Sequence, residues 1–94
     1  MKGEGEVAAL RAAIDAVDDR LLALIGERLA LVRAIGRVKA AQGALRPDPA
    51  REAAIVARLG GGAVDGETVA AVWGALFAAS HRVQGGDVDG GPRG

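Results

Sequence analysis

Apolar residues recur along the first forty positions at alternating steps of three and four. Val7, Leu10, Ile14, Val17, Leu21, Leu24, Leu31, Ile35 and Val38 make up the series, and Arg28 stands where another aliphatic is due. This is the seven-residue repeat of a helix that packs along one stripe. No proline interrupts Val7 to Gln42, so the spacing predicts one helix of roughly 35 residues, about 50 Å long. A rod of that length is wider than a small globule. It must pack against another chain or protrude. Gly43 follows it as a residue that closes a helix with a left-handed turn.

Two shorter elements come next. Pro47 and Pro49 bar continuation of the first helix, and Asp48-Pro49 reads as a cap followed by a first-turn proline. A second helix is expected from Pro49 to about Leu59, apolar at Ile55, Val56 and Leu59, and the glycines at 60–62 stop it. A third is expected from Asp65 or Glu67 to Val83, with Val69, Val72, Trp73, Leu76 and Phe77 on one face. The reading is an all-α chain of three helices, long, short and medium. Residues 1–6 are expected to be a flexible N-terminus, 7–84 one helical domain, and 85–94 ("GGDVDGGPRG") a disordered tail.

Composition narrows the function. A chain of 94 residues suits one small domain and buries little of its surface, so self-association is expected. Half the residues are apolar, but there is one Phe, one Trp and no Tyr; the alanine-rich remainder favours helix. With no cysteine and only His81 as a histidine, thiol chemistry, disulfides and a histidine-based metal site are not expected. Net charge is zero, which argues against a nucleic-acid surface. No apolar run suggests a signal peptide or a membrane span, and a cytoplasmic location is expected.

Some polar residues do not fit the pattern. Arg28 interrupts the apolar seam. It is either a register-setting or snorkelling arginine or a cation awaiting an anion. Lys39, one of two lysines beside ten arginines, lies eleven residues on, within about 20° of the same face and roughly 16 Å along the axis. Alone it reads as a surface lysine; Arg28 and Lys39 together could grip opposite ends of a small metabolite. Arg11 is roughly 25 Å from Arg28 on the same helix, so only a two-fold partner could bring it to a shared ligand. Asp48 is explained as a cap, and Arg51 and Glu52 as a solvated turn. Ser80 and Gln84 share a helix face at i, i+4. His81 and Arg82 read as a solvated terminus. As a set, these cations, acids and amides suit a polyanionic small molecule held without a nucleophile or metal.

Three stretches in order, "LRAAIDAVDDRLLALIGERLALVRAIGRVKA", "RPDPAREAAIVARL" and "AASHRVQ", resemble the all-helical, AroQ-class chorismate mutases over about residues 7 to 84. The resemblance implies an intertwined homodimer in which two long helices pair antiparallel and each active site draws on both chains. It implies the rearrangement of chorismate to prephenate, toward phenylalanine and tyrosine, with no cofactor, metal or covalent intermediate. It places Arg28 and the partner's Arg11 on the two carboxylates, with Ser80 assisting. Lys39 would donate to a carboxylate and to the ether oxygen, and Gln84 to the same oxygen. Glu52, helped by Asp48, would accept from the ring hydroxyl, with Arg51 nearby. Phe77 and His81 depart from the family pattern, where smaller aliphatics are common, and the linker at Gly60–Gly62 is a few residues shorter. An isochorismate pyruvate lyase or a mutase for an amino analogue of chorismate would use the same fold. A non-enzymatic helical dimer would account for the seam but not for Lys39, Glu52 and Gln84.

Overall fold

The computed structural model describes residues 2–43 and 48–89. It contains three helices, α1 (Lys2–Ala41), α2 (Pro49–Leu59) and α3 (Gly66–Asp89), and no strand among the described residues. The long, short, medium order is as expected. The chain divides into two compact units, Met1–Ala30 and Leu31–Gly94, which are described separately.

The first unit is helix throughout its described length, and every side chain described from Gly3 to Leu24 is exposed. The helix starts at Lys2, ahead of the expected Val7, and Glu4 lies in its first turn, where a carboxylate complements the positive helix end.

In the second unit each helix end has its own local cause. α1 closes at Gly43, whose φ of 70° lies in the left-handed region that favours glycine. There the Gln42 amide donates to Val38 O at 3.2 Å and the Gly43 amide to Ala40 O at 3.0 Å. Residues 44–47, Pro47 included, lie outside the described residues. α2 opens as expected: Asp48 accepts from the Arg51 amide at 3.0 Å and Pro49 occupies the first turn. It closes at Gly60, whose amide donates to Val56 O at 2.8 Å. α3 is capped by Asp65. One carboxylate oxygen accepts from the Thr68 amide at 2.9 Å, the other from the Thr68 hydroxyl at 2.8 Å.

α3 does not stop at Val83 but runs to Asp89. Residues 85–89, expected in the tail, are therefore helical. Gly85 and Gly86 each disfavour helix by about 1 kcal/mol, but extending a formed helix adds a hydrogen bond per residue and needs no new nucleus. Residues 90–94 of the expected tail lie outside the described residues.

α2 packs against α3. Ile55 and Val69 are buried between them, and Val56, Leu59, Trp73, Leu76 and Phe77 are half-buried. Val72, expected on the same face, is exposed. It lies three residues beyond Val69 but one before Trp73, off the line that faces α2. The core is thin, so caps and turns carry weight in holding the short helices.

Thr68's amide, and then its hydroxyl, hold the Asp65 carboxyl below its ordinary value of 3.8. A depressed folded value means that the cap stabilises fully above the unfolded value and fades as pH falls through the folded one. Asp65→Ala should therefore lower the melting temperature near neutral pH, and the gap to wild type should narrow in acid, as pH falls below the ordinary carboxyl value of 3.8. Thermal melts at both pH values check this. A gap that persists unchanged in acid contradicts it.

Candidate active site

In the second unit, α1 and α3 meet where α1 lacks a side chain. Gly36 is buried, and a Cβ built on it would lie 3.2 Å from Gln84 Cγ and 3.8 Å from Gln84 Cα. The missing Cβ also exposes the backbone. The carbonyl of Val32 points along the helix toward residue 36, and with glycine there its second lone pair can be reached from the side. Gln84 Nε2 donates to it at 3.3 Å. One of the two amide protons is thereby committed, which fixes the amide plane. The other N–H can donate elsewhere.

Val32, Gly36 and Lys39 are spaced by four and three, so they share one face of α1. That face receives Gln84, and Lys39 is half-buried on it, with exposed Val38 and Ala40 on either side. Four residues before Gln84, on the same side of α3, Ser80 is buried and its hydroxyl donates to Leu76 O at 2.8 Å. Ser80 is thus not the surface residue that the sequence alone suggests.

The first turn of α2 is tied to α3 as well. Glu52 Oε2 and His81 Nε2 are 2.6 Å apart, with side-chain exposures of 28% and 44%. Neither residue matches its plain sequence reading. Glu52 is not simply part of a solvated turn, and His81 is not simply a solvated terminus. A pair this exposed adds little to stability, typically about 0.2–1 kcal/mol; its effect is to orient the carboxylate. Asp48 and Arg51 lie on the same turn and are exposed, Asp48 acting as the cap.

Arg11 and Arg28 belong to the first unit. Arg11 is exposed. Arg28 is half-buried and its side chain is engaged.

Chemically, the second unit carries an ammonium at Lys39, an amide held by a backbone carbonyl at Gln84, a guanidinium at Arg51 and a carboxylate paired with an imidazole at Glu52. This is a set of donors and one acceptor, suited to an anion that also carries a hydroxyl. No group of three His, Asp or Glu side chains that could hold a metal occurs among the described residues, and no helix there is long and apolar enough to cross a membrane. The family model for chorismate mutase type II matches residues 10–85. The chain belongs to the type II chorismate mutase family. No curated protein and no solved structure matches the chain.

The family match runs from Leu10 to Gly85 and so takes in all eight expected site positions. It also takes in Gly36, which the sequence reading passed over, and His81, which it named only as a departure from the family pattern. A signal for Gly36 was present: a residue without a side chain three before Lys39 on the same helix face. For His81 the signal was weaker, a position three before Gln84 and four after Phe77.

Gly26 and Gly36 both sit inside α1, but a Cβ at Gly26 meets nothing within 4 Å. Alanine at either position gains about 1 kcal/mol of helix propensity. At Gly36 that gain is offset by the push on Gln84. Thermal melts should therefore show Gly26→Ala more stable than Gly36→Ala. Equal stabilisation by both would mean that α3 does not lie against Gly36 as described.

Proposed function

We propose that the chain is a chorismate mutase that converts chorismate to prephenate in the cytoplasm, on the route to phenylalanine and tyrosine. What carries the reading is Gln84, whose amide is locked by Val32 O on the face of α1 that also bears Lys39; membership of the family supports it. The reaction breaks one C–O bond and forms one C–C bond within a single molecule. No proton, electron or group is exchanged with the protein. Catalysis is then a matter of shape and charge.

The substrate must be held compact, with its reacting ends together. Arg28 and the partner subunit's Arg11 clamp its two carboxylates, supplying that orientation from binding. Ser80, whose hydroxyl donates to Leu76 O, would swing out to assist at one of them. As the C–O bond breaks, negative charge gathers on the ether oxygen. Lys39 and the uncommitted N–H of Gln84 donate to it, and because they are preset they favour the transition state over the ground state. Glu52 accepts from the ring hydroxyl, with Asp48 and Arg51 beside it.

The same proposal includes a homodimer with antiparallel long helices. Nine aliphatic side chains of the seam, Val7 to Val38, remain 42% to 66% exposed in the single chain. Covering what remains of each is worth about 1 kcal/mol, and a two-fold pair doubles the number covered. The sum exceeds the roughly 4–15 kcal/mol lost on association.

Purified protein should consume chorismate, followed by loss of its diene absorbance, and yield prephenate. Lys39→Ala and Gln84→Ala should each lower turnover by about 10²–10³ while leaving the assembly intact. No turnover at micromolar enzyme would sink the proposal, and release of pyruvate would select the isochorismate lyase instead. Full rate in both variants would defeat the assignment of the ether-oxygen donors. Light scattering at micromolar concentration should give the mass of two chains. The mass of one chain would rule out the dimer.

A further inference from the structure

We infer that His81 is a positioning residue for Glu52, turning its carboxylate toward a ring hydroxyl, so that the site favours a hydroxyl-bearing ring over one carrying an ammonium group. The inference rests on the mutase reading above and goes beyond it in naming what sets the choice between the two substrates.

The contact spans 29 residues of sequence and joins the first turn of α2 to α3. At 2.6 Å it is a short hydrogen bond. A glutamate left to itself samples several rotamers on three torsions. Binding Oε2 to the imidazole removes most of that freedom. Oε1 keeps its lone pairs with no hydrogen bond among the described residues.

A ring hydroxyl needs one acceptor oxygen and little net charge. An ammonium group is better served by the undivided charge of a carboxylate and by more than one acceptor. His81 works against the second case, because it occupies Oε2 and leaves one acceptor oxygen. The charged residues next to this pair in sequence are Asp48, the cap of α2, Arg51 on α2 and Arg82 on α3. Of these, only Asp48 would attract an ammonium, and its Oδ1 is taken by the Arg51 amide.

His81 is the sole histidine of the chain, so its ring nitrogens can be observed without assignment by mutation. In the intact protein, nitrogen-15 imidazole spectra should show Nε2 protonated, and Glu52→Gln should shift its signal. Kinetics should use chorismate and its 4-amino analogue. His81→Leu should raise KM for chorismate about tenfold, the scale of one hydrogen bond to a charged group, while kcat changes less than about threefold. The preference for chorismate over the amino analogue, taken as a ratio of kcat/KM, should fall about tenfold in the same variant. His81→Gln, which keeps an N–H at similar reach, should restore both to within about threefold. A mere surface pair predicts unchanged KM and unchanged preference, and either result overturns the inference, as does an imidazole signal indifferent to Glu52→Gln. Failure of the parent reading looks different: the wild-type chain itself would not turn over chorismate, whatever the imidazole signals show.

Discussion

The absence of one carbon at Gly36 decides how closely α3 can lie against the second-unit part of α1. Any side chain there would push on Gln84, whose Cγ lies only 3.2 Å from the position that a Cβ would take. It would also cover the Val32 carbonyl, which has already given one lone pair to its own helix. Both consequences fall on the same amide. The contact thus sets the place of α3 and the orientation of Gln84 together. α2 is bound in turn to α3 through Ile55, Val69 and the Glu52–His81 pair. The polar ends of three helices are located by a chain of contacts that starts at a glycine.

Local features of this fold were legible in the sequence, and tertiary ones were not. The heptad seam foretold α1, Gly43 its left-handed end, and Asp48-Pro49 the start of α2. Each depends on residues within one or two turns. The ends of α1 and α3 were misjudged because Gly3, Gly5, Gly85 and Gly86 weaken a helix without breaking it, and propensity alone does not say when a formed helix stops. Glu52–His81 and Gln84–Val32 were beyond reach for another reason. They join residues 29 and 52 positions apart, and no periodicity relates positions on different helices. The resemblance to a family named Glu52 and Gln84 as site residues. It could not say what holds them.

The thin core explains why so little of the chain's chemistry is buried. Among the described residues only Ile55, Val69, Gly36 and Ser80 are buried, too few to shield a cation or carboxylate from water. An electrostatic site in so exposed a setting would be weak, since each interaction is screened by solvent. Strength has to come from orientation within the chain, as at Gln84 and Glu52, or from further exclusion of water by another surface. The uncovered stripe from Val7 to Val38 is where a second chain would supply that exclusion.

Arg28 shows why covering the stripe and binding an anion would belong together. Its position in the repeat is one that a partner helix would close over. A guanidinium taken out of water costs several kcal/mol unless it is paired. A purely structural seam would do better with leucine, as it has at Leu24 and Leu31. Arg28 already has an interaction within the chain, and in the proposed dimer a substrate carboxylate would add an anion beside it. On this reasoning assembly and binding are linked: a bound dianion would stabilise the paired state, and pairing would place Arg28 where its charge is least screened. The near-zero net charge of the chain is no obstacle, because the attraction depends on a few local cations rather than on the field of the whole protein.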